Sequence, residues 1–112
     1  MLESDLLKQV RRLSVGAVRL FRNQVGALKD GDRWVQFGLC KGSSDLIGFK
    51  SHTITQEDVG RTVAIFVAIE TKTERGRMRE GQQEFIDAVR KHGGLAGVAR
   101  SVEQAQAILE GK

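Results

Sequence analysis

The sequence predicts an α/β fold in which helices flank a small mixed β-sheet. The first 13 residues carry leucine and valine at helical spacing, which predicts an amphipathic helix. Residues 63–72, VAIFVAIETK, form an unbroken apolar run rich in β-branched residues, as in a buried central strand. The last third of the chain alternates helix, short strand and helix. A strand reached through a helical crossover lies parallel to the strand before it.

In the first half, the leading helix should span about three turns and end near Ser14 and Gly16. Two β-rich segments, residues 17–23 and 33–37, surround a turn region that contains Gly, Lys and Asp, so we expect them to form a hairpin. Residues 45–49 form a further short strand, which we expect to neighbour the central strand.

In the second half, apolar spacing predicts a helix over residues 79–92 that is stopped by a Gly-Gly pair. A short strand follows at residues 95–99, and it should be parallel to the central strand. Ser101 is placed to cap a last helix that extends to Leu109.

Length and composition describe one domain over residues 1–112, with 40% apolar and 29% charged residues. Cys40 is the only cysteine, which excludes an intrachain disulfide and a cysteine-rich zinc site. Neither a signal peptide nor an apolar run of 18 residues is present, so we expect a cytoplasmic protein without a membrane partner. The net charge of +4 modestly favours a polyanionic partner, although a solvated basic surface explains it equally well.

Two charged residues at the end of the central strand are candidates for chemistry. Alternation along the strand places Glu70 and Lys72 on the same face. Charged groups at the end of a buried strand are costly unless they pair or bind something. The simpler alternative is an ion pair that lies partly in solvent at the end of the strand.

A second carboxylate, Asp45, lies in the segment GSSDLIG, where Gly42 and Gly48 permit sharp turns and close backbone approach. Two carboxylates on adjacent strands can hold a divalent cation such as Mg²⁺, whose other ligands are water and substrate phosphate. The alternative for Asp45 is a turn residue that bonds to its own backbone. Glu3 lies at the edge of the apolar stripe of the first helix, and Gln82 shares a face with apolar residues of its helix. The alternative for each is a solvated residue in the first turn.

Four sequence blocks occur in a specific order: GSSDLIG, AIETK, GQQEF and HGGLAGVARS. Together with ESD in the first helix and FRN in the first strand, they resemble the VRR-NUC domain, the virus-type replication-repair branch of the PD-(D/E)XK nucleases. The resemblance covers nearly the whole chain. It implies a restriction-endonuclease-like core in a single standalone domain, of the minimal form expected in a bacterial or phage-infected cell.

The resemblance also implies a set of site residues. Asp45, Glu70 and the backbone carbonyl of Thr71 would hold Mg²⁺ or Mn²⁺, and Lys72 would be the motif lysine. One departure is Glu80-Gly81, where family members often have proline and glutamate, which leaves the helix start open. The full catalytic set that the resemblance implies is Glu3, Asp45, Glu70, Lys72 and Gln82.

The loop KTERGRMRE supplies Arg75, Arg77 and Arg79 beside this site for contacts with DNA phosphates, the alternative being a mobile solvated turn. The expected function is that of a metal-dependent, structure-selective DNA endonuclease, acting as a homodimer that resolves Holliday (four-way) junctions. The alternatives are a flap-type nuclease and a catalytically silent DNA-binding or assembly module. No Walker or dinucleotide-binding motif is present.

The homodimer follows from one active site per small domain, because two coordinated cuts need two copies and a four-way junction has two-fold symmetry. Trp34, Val35 and Phe37 offer an apolar strand surface for such pairing. The alternative is that these three side chains pack beneath the first helix.

Overall fold

The computed structural model describes residues 1–112, which form three α-helices, six β-strands and one 3₁₀ turn. Cα packing divides the chain into two compact units, Met1–Lys50 and Ser51–Lys112. We call them the first and the second unit. None of the helices combines the length and the apolar character needed to cross a membrane.

The first unit contains one helix and four strands. Helix α1 lacks a side-chain N-cap, but its first turn is acidic and its last turn basic, which complements the helix dipole. None of its residues is fully buried. The elements are α1 (Glu3–Arg11), β1 (Val18–Arg22), β2 (Gly26–Asp30), β3 (Arg33–Phe37) and β4 (Leu46–Lys50).

Strand β1 pairs antiparallel with β4 over five residues, and Leu20 faces Gly48 in this register. A β-carbon at Gly48 would overlap the carbonyl group of Arg19, so this close approach requires glycine. The rings of Phe21 and Phe49 lie 6.0 Å apart on the same ladder. The sequence correctly indicated a close backbone approach at Gly48.

Strands β2 and β3 form a hairpin with a two-residue loop, and Asp30 lies opposite Arg33 at the end of the ladder. Gly31, the first loop residue, has φ 63°, which glycine adopts without steric cost. The expected hairpin between residues 17–23 and 33–37 is therefore wrong. The Gly-Asp turn brings residues 26–30 against β3 first, and β1 pairs with β4 instead.

The second unit contains a parallel strand pair covered by two helices. The 3₁₀ turn Gln56–Asp58 precedes the first of these strands. The other elements, in chain order, are β5 (Val67–Thr71), α2 (Gln82–Lys91), β6 (Leu95–Ala99) and α3 (Val102–Leu109).

Strands β5 and β6 are parallel and in register from Val67 opposite Leu95 to Thr71 opposite Ala99. Helices α2 and α3 both contact β6, and the buried core consists of Ile86, Val89, Ala96 and Ala99. The predicted parallel crossover and the strand at residues 95–99 are confirmed. Ser101 caps α3 by accepting a hydrogen bond from the backbone N–H of Gln104, also as predicted.

Three predicted elements are shorter than expected. Helix α1 ends at Arg11 rather than near Ser14. The central strand begins at Val67 rather than residue 63, because its partner β6 offers only five residues to pair with. Helix α2 begins at Gln82 rather than residue 79, because Gly81 takes a left-handed conformation with φ 86°. The predicted end near residue 92 is confirmed by His92, which is the C-cap.

The sheet organisation also differs from the expectation. The six strands form three separate two-stranded sheets, two antiparallel and one parallel, so the single mixed sheet is not found. Strand β4 was expected to pair with the central strand, but it pairs with β1, and no strand pairing joins it to β5. The chain is nevertheless a mixed α/β protein of small sheets and helices.

A carboxylate in the 3₁₀ turn should make stability depend on acid pH. The Asp58 side chain, only 5% exposed, accepts hydrogen bonds from the backbone N–H of Thr55 (2.9 Å), His52 Nε2 (2.9 Å) and Arg61 Nη1 (2.6 Å). The Thr55 bond, followed by the His52 bond, lowers the pKa of Asp58 from 3.8 to about 2.

The folded state therefore binds this proton less tightly than the unfolded state does. Its contribution is complete above pH 3.8 and is lost as the pH falls toward about 2. We expect thermal unfolding curves of Asp58→Asn to show a weaker pH dependence in that interval than wild type. The neighbouring exposed Glu57→Gln is the control, and equal slopes for wild type and Asp58→Asn would contradict the prediction.

Candidate active site

Three predicted site residues meet at the end of β5. Glu70 is the fourth residue of this strand, and Lys72 follows the strand directly. Lys72 Nζ lies 3.3 Å from Glu70 Oε1, and Gln82 Nε2 donates a hydrogen bond of 2.9 Å to the same oxygen. One carboxylate oxygen thus receives an ammonium group and an amide group. The prediction that Glu70 and Lys72 share a face is confirmed.

The position of Gln82 follows from the start of α2. Its backbone N–H bonds to the carbonyl of Arg79 (3.1 Å), and its side-chain Oε1 accepts the N–H of Arg79 (2.7 Å). One turn further along the helix, Ile86 is buried in the core and fixes the helix against the sheet. Both ends of the Gln82 amide are therefore occupied, and its Nε2 is held toward Glu70.

The position of Lys72 follows from the end of the β5–β6 ladder. Its backbone N–H bonds to the carbonyl of Ala99 at 3.1 Å, one residue beyond the strand. Its side chain is 11% exposed, whereas that of Glu70 is 34% exposed. A largely desolvated ammonium group needs a counter-charge, and Glu70 supplies it. The carboxylate keeps access to solvent and can take a further ligand.

A groove of about 340 Å³ opens beside Glu70. A water molecule takes roughly 30 Å³ in the liquid, so the groove has room for several waters or for a hydrated ion and a phosphate group. Polar and apolar side chains both face it. Its lining residues are Ala68, Ile69, Glu70, Glu80, Gly81, Gln82, Phe85 and Ile86.

The donor atoms here suit a hard cation. Mg²⁺ prefers oxygen ligands and uses only one or two carboxylates when water and phosphate complete its shell. Glu70 and the adjacent carbonyl of Thr71 are such donors. No group of three or more His, Cys, Asp or Glu side chains is arranged to hold a metal ion, so an all-protein cage is not present.

Asp45 lies in the first unit, immediately before β4. Its side chain is 64% exposed, and Arg22 Nη1 lies 3.6 Å from Asp45 Oδ1 and 3.3 Å from the Asp45 carbonyl oxygen. The role of Asp45 as a metal ligand stays a prediction. The bond from the backbone N–H of Asn23 to the Asp45 carbonyl, at 2.7 Å, fixes the backbone at this point.

Asn23 organises the loop that presents Asp45, a role that the sequence did not reveal. Its side chain is buried, and Nδ2 donates to Ser43 Oγ (2.7 Å) and to the carbonyl of Ser44 (2.9 Å). Its Oδ1 accepts the N–H of Leu39 at 2.9 Å. The only signals in the sequence are a polar residue directly after β1 and its place in the segment FRN.

Replacing Asn23 by alanine should destabilise this loop. The change leaves the N–H of Leu39 and the carbonyl of Ser44 without their partner, at roughly 1–3 kcal/mol for each unsatisfied group that stays buried. We expect the free energy of unfolding, measured by urea denaturation, to fall by about 2–3 kcal/mol. The adjacent, exposed Gln24→Ala is the control and should change it by less than about 0.5 kcal/mol. Equal stability of the two variants would contradict this role.

The remaining predicted residues lie at the surface. Glu3 is exposed in the first turn of α1, where it complements the helix dipole, and its catalytic role stays a prediction. The arginines of the loop after β5 are also exposed, and their contact with DNA stays a prediction. These arginines are Arg75, Arg77 and Arg79.

Comparison with known proteins identifies one family. The family model described as the VRR-NUC domain matches residues 11–103, a range that includes every predicted site residue except Glu3. No curated protein and no solved structure matches the chain. The matched range is well over half of the 112 residues and agrees with the resemblance of the sequence blocks. The chain therefore belongs to the VRR-NUC domain family, a family of nucleases.

Proposed function

We propose that this protein is a metal-dependent, structure-selective DNA endonuclease that acts as a homodimer on four-way junctions. The observation that carries the proposal is the convergence of Lys72 and Gln82 on one carboxylate oxygen of Glu70, beside an open groove. In a nuclease family, a carboxylate, an ammonium group and room for phosphate are the parts that metal-assisted hydrolysis needs.

In the proposed mechanism, Asp45, Glu70 and the carbonyl of Thr71 would hold Mg²⁺ or Mn²⁺. When bound, the ion lowers the pKa of a water molecule and neutralises charge on the scissile phosphate. Gln82 holds Glu70 in one orientation through its amide N–H. Lys72 orients the attacking water or a phosphate oxygen with its ammonium group.

Three exposed arginines follow the site along the chain, which supports DNA as the substrate. Phosphate contacts from arginine give affinity that depends on salt but not on sequence. Such contacts fit an enzyme that selects a DNA structure rather than a base sequence. The arginines in question are Arg75, Arg77 and Arg79.

The β2–β3 hairpin supports the homodimer. Its apolar side chains are exposed: Trp34 is 69% exposed, and Val35 and Phe37 are also exposed to solvent. They are therefore not packed beneath α1, which was the alternative for this surface. A two-fold pairing of such hairpins would give two active sites, one for each of the two junction strands that are cut.

One assay tests the proposal. Purified protein is incubated with labelled linear, flapped and four-way DNA, with and without Mg²⁺. We expect paired, symmetric nicks in the junction that require the metal, and light scattering at micromolar concentration should give the mass of a dimer. A monomer that prefers flaps would favour the flap-type nuclease instead. DNA binding without cleavage in Mg²⁺ or Mn²⁺ would favour the silent binding module.

A further inference from the structure

Arg100 directly follows β6, and its guanidinium group reaches the loop after β5. Arg100 Nη1 lies 2.6 Å from the carbonyl oxygen of Thr73, 2.7 Å from that of Gly76 and 3.4 Å from that of Glu74. Three backbone carbonyls of one short turn thus surround a single cationic nitrogen. Hydrogen bonds from a charged donor are stronger than those between neutral groups.

The turn held in this way is the one that leaves the candidate active site. It begins directly after Lys72 and is closed by a hydrogen bond of 3.0 Å from the N–H of Gly76 to the carbonyl of Thr73. Arg75 occupies the turn and is exposed. The backbone of the turn therefore sets the direction in which the first of the loop arginines leaves the site.

Arg100 is itself fixed from two sides. Its backbone N–H bonds to Gln104 Oε1 at 2.6 Å, while the N–H of Gln104 bonds to the Ser101 hydroxyl that caps α3. The residue before it, Ala99, accepts the N–H of Lys72 at the end of the sheet. The guanidinium group thus extends from a rigid strand–helix junction toward a turn that has no regular secondary structure of its own.

We propose that Arg100 is a positioning residue that holds the turn Thr73–Gly76 and thereby presents Arg75 and the arginines after it to DNA phosphates. The inference rests on the proposed function for its substrate, but the contacts that carry it are within the protein. Lysine cannot fully replace arginine here, because its side chain is shorter and its compact ammonium group lacks the rigid, planar set of N–H donors of a guanidinium group.

The first test uses the full-length protein without DNA. Arg100→Ala should speed hydrogen exchange at the Gly76 amide and trypsin cleavage after Arg75, both by roughly tenfold, since local opening becomes less costly. Arg100→Lys should fall between alanine and wild type. Lys91→Ala removes one exposed positive charge from the same unit, and it should leave both rates unchanged. Circular dichroism verifies that each variant is folded.

The second test measures binding to a four-way DNA junction in EDTA and, separately, cleavage in Mg²⁺. Arg100→Ala should raise the Kd for the junction by about tenfold, because a turn without its Arg100 hydrogen bonds must be ordered when DNA binds. KM should rise similarly, while kcat at saturating DNA stays within about threefold of wild type. Lys91→Ala should change the Kd by less than about threefold.

The outcomes separate this inference from the proposed function. Weaker binding by Arg100→Ala with unchanged exchange and proteolysis in the free protein would mean that Arg100 contacts DNA itself, and it would overturn the positioning role. Faster exchange with unchanged DNA affinity would overturn it too. If wild type binds the junction but does not cut it, the nuclease proposal fails, and the exchange and binding results still decide the role of Arg100.

Discussion

Glu70→Gln should abolish Mg²⁺-dependent cleavage while the protein remains folded. The change removes the negative charge that attracts the cation but keeps an oxygen that can accept the hydrogen bond from Gln82. Loss of a single preorganised group in an active site costs roughly a hundredfold to a thousandfold in rate, and loss of a metal ligand should cost at least the upper value. Single-turnover cleavage of a labelled junction measures this rate.

The control is Glu103→Gln, which removes an exposed carboxylate from the first turn of α3 and should cut DNA at the wild-type rate. Isothermal titration with Mn²⁺ provides a second readout, because Glu70→Gln should bind the ion more weakly. If Asp45 holds the same ion from the first unit, Asp45→Asn should show both losses. A Glu70→Gln variant that cuts DNA at the wild-type rate would remove Glu70 from the site.

Glu70→Ala should lower the stability of the metal-free protein. If repulsion from other carboxylates were the main effect, removing the Glu70 charge would stabilise the metal-free protein. The ion pair with Lys72 at 3.3 Å leads to the opposite expectation, because alanine leaves a side chain that is only 11% exposed without a counter-charge. We expect the free energy of unfolding, measured by urea denaturation, to fall by about 1–2 kcal/mol. This is less than for a fully buried ion pair, because both side chains are partly exposed to solvent.

The second unit was well predicted because its signals are local. A serine at the start of α3, a glycine pair after α2 and a short apolar strand between them each determine structure within a few residues. The helical crossover between the two strands then makes β6 parallel to β5. Period-two alternation likewise placed Glu70 and Lys72 on one face without any knowledge of tertiary contacts.

The first unit was predicted less well because strand pairing there depends on distant partners. Residues 26–30, GALKD, contain no β-branched residue and become a strand only through pairing with β3. Strand β1 lies more than 20 residues before its partner β4, and nothing in its own sequence selects that partner. Local patterns therefore predicted the strands themselves more reliably than their neighbours.

Two residues that organise the site had no predicted role, although each lies in a segment that carries the family resemblance, FRN or HGGLAGVARS. Asn23 and Arg100 act on backbone carbonyls and N–H groups, which every residue has, so no complementary side chain marks the contact. A motif reveals side chains that act on substrate. The groups that hold a loop in place become visible only when the backbone geometry is known.

Lys72→Ala should lower the single-turnover cleavage rate by at least roughly a hundredfold, the usual scale for removing a positioned electrostatic or acid–base group. Binding of the junction, measured in EDTA, should change by less than about threefold, since the side chain is largely buried and is not one of the exposed arginines. Lys72→Met fills more of the space left by the lysine stem and separates loss of charge from loss of packing. Weaker DNA binding with a normal single-turnover rate would give Lys72 a binding role only.

The affinity of Lys72→Ala for Mn²⁺ provides the sharper test, because cleavage should slow while Mn²⁺ binding does not weaken. In the wild-type protein, the ammonium group lies 3.3 Å from the Glu70 oxygen and repels any cation that approaches this carboxylate. Without it, Glu70 keeps only the neutral amide of Gln82 as a partner, and Mn²⁺ should bind at least as tightly as before. A lysine that served only to shape the carboxylate for the metal would give the opposite result, weaker Mn²⁺ binding together with slower cleavage. Tighter or equal binding with slower cleavage therefore assigns Lys72 to the reacting water or phosphate rather than to the metal.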